Sequence, residues 1–316
     1  MNLLTPAFRC VRAASALTLL LWLGACETNP TQPGAASISQ ALSSLSTVAA
    51  QSGVPTGALG STAATQSQTL QLMARSLDNM DEPREIELGR QLSAVLLGSA
   101  RPLNDEATQR YVSRLGRWIS LHSSRPHLPW TFVVLDNPGY NAFAAPGGFV
   151  FVTKGLLNRT PTEAELAGVL AHEIIHVTQK HHLKAMVTQA RVQLGTQAAA
   201  QLLLRNNTDA LTGMLLNLGR DLYAKGLDRA DEFEADRMGV ALATRAGMDP
   251  YGLVALLHQL SGERADHPAY TLAFSTHPPT RQRVEYLQQA MGNRLDRFAS
   301  SSSPTLEQRI RSQRTR

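Results

Sequence analysis

The sequence predicts an α+β fold dominated by helices, with one small β-sheet or hairpin beside a histidine-bearing helix. Three observations predict it. Apolar residues recur at helical spacing beyond residue 80. Two short β-rich runs, residues 130–135 and 148–153, interrupt them, joined by Asn-Pro-Gly and Pro-Gly-Gly turn signals. After Thr153 the pattern is helical nearly to the end, so one modest sheet sits among helices.

Residues 1–25 have the layout of an export signal. Arg9 and Arg12 are its positive part, and residues 13–23 form an apolar run too short to span a bilayer comfortably. Leu23-Gly24-Ala25-Cys26 resembles the lipobox of bacterial lipoproteins, in which the cysteine is lipidated and becomes residue one. Two or three acyl chains hold a protein at a membrane lastingly, as one does not. Glu27, where that class places Asp for inner-membrane retention, implies the outer membrane and a periplasmic face. Residues 26–80 read as a tether, because no charged residue occurs from 28 to 74 and Ser, Thr, Ala, Gln and Gly dominate.

The folded domain is expected over residues 81–300. Asp81-Glu82-Pro83 starts a helix carrying Ile86, Leu88, Leu92, Val95 and Leu96 up to Gly98. A second helix is expected over 104–121, with Tyr111, Leu115 and Trp118 inward. The apolar region 187–226 reads as core helices, or alternatively as a lid or membrane-leaning hairpin. Residues 301–316 read as a basic tail, disordered or lying against anionic lipid.

Composition bounds the function. Cys10 and Cys26 are the two cysteines, too few for a disulfide scaffold or a four-thiolate metal site. The formal charge of +5 owes two units to Arg9 and Arg12. Three more come from Arg309, Arg311, Arg314 and Arg316 against Glu307. The body is formally neutral, which argues against nucleic acid as a partner.

Chemistry concentrates in Ala171-His172-Glu173-Ile174-Ile175-His176. Residues four apart share a helix face, so His172 and His176 can direct two imidazoles at one tetrahedral metal. Glu173, one step around, can reach a water beside it. Thr160-Pro161-Thr162-Glu163 announces this helix as cap, first-turn proline and capping-box glutamate. A third ligand has two candidates. His182 has the spacing of the metzincin extension, but that extension needs a glycine where Gln179 stands, and nothing in Val177-Thr178-Gln179-Lys180 stops a helix. On a continuous helix His182 lies about 15 Å along the axis from His172 and cannot close the site. The other candidate is Glu232 in Asp231-Glu232-Phe233-Glu234-Ala235-Asp236, where Glu232 and Asp236 share a face. A carboxylate ligand and an acid to hold a histidine's other nitrogen suit a catalytic metal. Acidic helix starts also have a plainer use beside the positive dipole end.

Four motifs in order now resemble a known family: Asn141-Ala142-Phe143-Ala144-Ala145-Pro146-Gly147-Gly148, the His-Glu-x-x-His run, Glu-x-Glu-Ala-Asp, and Ser275-Thr276-His277-Pro278-Pro279-Thr280 with Arg283. They are similar to the HtpX/BepA-like gluzincin zinc metallopeptidases, relatives of the CAAX prenyl proteases and Oma-type peptidases. The resemblance implies one Zn2+ per chain on His172, His176 and Glu232, Glu173 as catalytic base, and Asp236 supporting a ligand histidine. It implies a short lipoprotein member without TPR repeats, cutting unfolded or misassembled envelope proteins and meeting outer-membrane assembly machinery. A chaperone-like assembly factor with little proteolysis is the alternative, against which the intact Glu173 argues. His277 is expected as a latch on the zinc or a transition-state contact, or more plainly as a loop histidine ordered by two prolines. Arg283 reads as an ion-pair partner, and His181, His182, His258 and His267 as surface or packing. Asn141, Ala142, Phe143, Gly147 and Gly148 are candidate substrate contacts on a strand edge, or simple hairpin structure.

Overall fold

The computed structural model describes residues 80–98, 100–194, 208–261, 277, 280–300 and 304–314. The signal, Cys26 and nearly all of the tether lie outside the described residues, as does His267. Helices α1 (Glu82–Leu97) and α2 (Glu106–Ser120) precede strands β1 (Thr131–Leu135), β2 (Ala142–Ala145) and β3 (Phe149–Thr153). Then come a short α3 (Lys154–Leu157), α4 (Glu163–Thr178), α5 (His181–Leu194) and α6 (Thr208–Lys225). The series ends with α7 (Arg229–Arg245), α8 (Gly252–Ser261), α9 (Thr280–Met291) and α10 (Leu306–Arg314). The α+β expectation is borne out.

The sheet order is β1-β3-β2. The two β-rich runs are parallel neighbours, not a hairpin: Thr131 pairs with Phe149 and Leu135 with Thr153. The hairpin partner of β3 is instead β2, antiparallel to it. Gly147, at φ 79, makes their turn, and a side chain there would meet the α1 backbone at Ile86.

Helix α4 lies at the centre, buried from Ala164 to Thr178. Its cap falls two residues later than expected. Thr162 accepts from Glu165 N–H at 3.3 Å, and Glu165 accepts from Thr162 N–H at 3.0 Å, closing the capping box. Glu163 accepts a hydrogen bond from Tyr111 instead. The main core joins α2, the sheet, α4 and α7, with residues such as Ile119, Val134, Leu170 and Leu242. A second core packs α1 on the α5 and α6 pair through Leu92, Met186 and Leu218. The described part of region 187–226 is thus core helix. A third joins α7, α8 and α9 through Val240, Leu257 and Leu287. Trp118 departs from its expected inward place: it is 49% exposed, with its indole N–H on the Ala246 carbonyl at the end of α7. The basic tail also differs from expectation. Leu306 is buried in the main core and Arg309 pairs with Glu163 at 2.9 Å, so the folded unit runs past residue 300.

The largest correction concerns the end of α4. Lys180 takes φ 59, the left-handed conformation that terminates helices, and α5 begins anew at His181. Lys180 Nζ is held 2.9 Å from Glu85 on α1, a wholly buried carboxylate that also pairs with Arg125 at 2.7 Å. The helix is not continuous, and His182 folds back to 5.3 Å from His176, ring centre to ring centre.

Candidate metal centre

Crossing helices build the site. Gly239 on α7 sits against α4 so closely that a Cβ there would stand 3.0 Å from His172 N. That approach carries the first turns of α7 up to the histidines. His172 Nε2 and His176 Nε2 are 3.0 Å apart. Glu232 places Oε2 3.6 Å from the first and Oε1 3.5 Å from the second. Donors around a tetrahedral ion at about 2.1 Å are separated by about 3.4 Å, so this spacing fits a zinc-class metal. His277 completes a four-donor cluster with them. Glu232 Oε1 is buried with no hydrogen-bond partner among the described residues, an orphaned acceptor that a cation would satisfy. The residues fit a metal.

Around this cluster the outer contacts are ordered. His172 Nδ1 lies 2.9 Å from Asp236 Oδ1, which fixes its ring so that Nε2 faces inward. Asp236 in turn is gripped by Arg283 through two hydrogen bonds, at 2.8 and 2.7 Å. Glu173 is buried beside the cluster, with Oε2 unpartnered among the described residues and Oε1 3.8 Å from His277 Nε2.

Residues 106–291 match peptidase family M48. The chain belongs to that family. It is 31% identical over 208 residues to the beta-barrel assembly-enhancing protease of Escherichia coli K12, covering 64% of this chain and 42% of that protein. A putative beta-barrel assembly-enhancing protease of Vibrio cholerae is 32% identical over the same share of this chain and 43% of its own. The mitochondrial metalloendopeptidase OMA1 of Schizosaccharomyces pombe is 34% identical over 183 residues, covering 58% of this chain and 52% of that protein. The matched region thus spans about two fifths to one half of these relatives. The M48 assignment carries with it a metal-dependent site, and the cluster of His172, His176, Glu232 and His277 is where the donors converge.

Charge is distributed unevenly across this M48 site. Burial pushes the Glu173 carboxyl up, and the histidines nearby only partly offset it. Burial also opposes ionisation of Glu232, but His277, by charge and hydrogen bond, and Arg283 hold it down at about 2. Burial disfavours a charged His277, yet Glu232 and Glu173 outweigh it and raise the ring to about 8. Burial holds His176 well below its ordinary value and His182 at about 3, so both rings are neutral.

Every expected ligand is brought together, and Asp236 stands where a supporting acid was expected. Arg283 is the ion-pair partner anticipated. Of the candidate substrate contacts, Ala142 and Phe143 lie on the edge strand β2, with the Ala142 carbonyl 3.5 Å from His277 Nε2. Asn141 is buried and pairs with Thr153. Gly147 and Gly148 are buried turn residues, the first packed against Ile86 on α1 and the second against Leu128 and Trp130 just before β1. Tyr223 went unnoticed in the sequence: it stacks on His182 at 4.5 Å and donates to the Ala144 carbonyl on β2. No local signal marks it, because α6 is far from both in sequence.

Proposed function

We propose that the chain is a zinc-dependent metalloendopeptidase hydrolysing peptide bonds in unfolded or misassembled cell-envelope proteins. The observation that carries this is the convergence of His172, His176 and Glu232 with Glu173 buried at their side. Zinc held there would supply Lewis acidity toward the scissile carbonyl and make an attacking water more acidic. Glu173 takes the proton of that water and delivers it to the leaving amine. In the metal-free protein burial raises its pKa, which makes it a stronger base toward that water than a carboxylate of ordinary acidity. Asp236 and Arg283 keep the His172 ring oriented throughout.

His277 acts as a latch. Its hydrogen bond to Glu232, at 2.8 Å, puts the ring where a substrate carbonyl needs to approach. The Ala142 carbonyl on the outer edge of β2 is offered to substrate backbone once the latch withdraws, giving affinity with little sequence preference. Replacing His277 with alanine raises basal cleavage, and unchanged cleavage would remove the latch.

The lipobox-like segment ending at Cys26 supports anchoring at the outer membrane, facing the periplasm. Bacterial relatives named for beta-barrel assembly support an envelope setting. No described helix is long and apolar enough to cross a membrane. The assembly-enhancing part of those names supports the second reading, an assembly factor with little proteolysis, while the word protease in them supports the first. Zinc content and cleavage of an unfolded protein by wild type and Glu173→Gln separate the two. Loss of cleavage with zinc retained supports the peptidase; equal cleavage would sink it.

A further inference from the structure

A second group of donors lies on the far side of His176. His181 opens α5 just after the chain turns back at Lys180, and its Nδ1 is 3.0 Å from His176 Nδ1. Its other nitrogen, Nε2, is buried with no hydrogen-bond partner among the described residues. That nitrogen is aimed at two carboxylates on α7: Glu234 Oε2 at 3.4 Å and Asp231 Oδ1 at 3.9 Å. The His181 side chain is 2% exposed, whereas Asp231 and Glu234 are 33% and 42% exposed.

We propose that His181, Asp231 and Glu234 form a second divalent-cation site of the zinc class, next to the catalytic centre but separate from it. The three donors lie within 4.8 Å of one another. The separations from His181 Nε2 resemble those of the first cluster and the tetrahedral edge of about 3.4 Å around a zinc-sized ion. A buried ring nitrogen without a hydrogen-bond partner is destabilising, and a bound cation removes that cost. One imidazole and two carboxylates select a borderline ion such as Zn2+ over Ca2+ or Mg2+, which take oxygen donors. Asp231 and Glu234 are three apart on one face of α7, while Glu232 between them turns to the inner cluster. The first turn of α7 therefore supplies carboxylates to both sites. An acidic first turn serving only the helix dipole would have no need of a buried histidine nitrogen pointed at it.

The two sites share the bond between His176 and His181. The outer ion, held on the partly exposed carboxylates of Asp231 and Glu234, is the weaker of the two and exchanges with solvent.

The test counts metal on the full chain, equilibrated with rising free Zn2+ and analysed by mass spectrometry and calorimetry. Wild type is expected to take up a first and then a weaker second ion. The Asp231→Asn/Glu234→Gln double variant, folded by circular dichroism, is expected to keep the first and lose the second. His181→Gln, made separately, is expected to lose the second as well. A wild type that stops at one ion overturns the proposal, and so does a second ion that persists in the double variant. The proposal stands apart from the peptidase reading: Glu232→Gln removes the inner ion and leaves the outer one, so the failure of either is seen independently.

Discussion

Glu173, on α4, and Glu232, on α7, are both buried glutamates beside the same pair of histidines, yet their acidities move in opposite directions. Burial raises Glu173, while Glu232 is held down at about 2. Desolvation acts on both alike, so partners make the difference. Glu232 accepts a hydrogen bond from His277 at 2.8 Å and has the Arg283 guanidinium 3.6 Å away. Glu173 has His277 only at 3.8 Å, and one of its oxygens is unpartnered among the described residues. One site thus gives two glutamates opposite acidities by placing His277 and Arg283 closer to Glu232 than to Glu173.

The largest effects come from removing either carboxylate's charge. Glu173→Gln is expected to lower the cleavage rate by about 10²–10⁴-fold while zinc stays bound. Glu232→Gln is expected to lose zinc and activity together, because it removes a ligand. Stoichiometry and rate measured side by side decide it; two variants that fail in the same way would erase the distinction.

Next in size is the cation that separates the pair. Arg283→Leu leaves Asp236 buried without its guanidinium, and breaking such a pair costs about 3–5 kcal/mol. Zinc affinity is expected to fall about 10–100-fold, because the acid that orients His172 is itself no longer held. Denaturant unfolding with and without zinc measures both terms. Equal stability to wild type would mean that Arg283 does not sustain the charge on Glu232 and Asp236.

His277 links the two carboxylates, and its effect depends on pH. Its pKa rises from 6.5 to about 8 in the folded, metal-free protein. Stability from this shift is fully present below pH 6.5 and is lost as pH rises through about 8. The amount is about 2 kcal/mol at most. Thermal melts of chelator-treated protein should decline more steeply across that window in wild type than in His277→Asn. For Glu232 the sign is opposite: its stabilisation is present above 4.5 and lost as pH falls through about 2.

The candidate ligands on α4 and α7 were legible because residues four apart on a helix must share a face, whatever surrounds them. The same holds for Asp236, four residues after Glu232. What escaped was set by distant contacts. Nothing local to Gln179-Lys180 ends a helix; Glu85, on a helix nearly a hundred residues earlier, draws Lys180 into the left-handed turn. His181 therefore read as one more histidine past the motif, whereas the turn places it against His176. The parallel pairing of β1 with β3 escaped for the same reason, since adjacency in a sheet is decided after β2 folds back. The cap of α4 lay between two eligible threonines, and Thr162 prevails because Glu165 reciprocates its hydrogen bond.

The smallest effect serves as the control on the carboxylate comparison. Thr162→Ala removes one half of the capping box, at the far end of α4 from Glu173. The loss should be about 1 kcal/mol, the usual cost of a cap, since Glu165 N–H is left to find another acceptor. This change touches neither His277 nor Arg283. It should lower the unfolding midpoint at every pH by a similar amount and leave zinc stoichiometry as in wild type. Were it to flatten the pH dependence assigned to His277, helix placement and not neighbouring charge would be what separates Glu173 from Glu232.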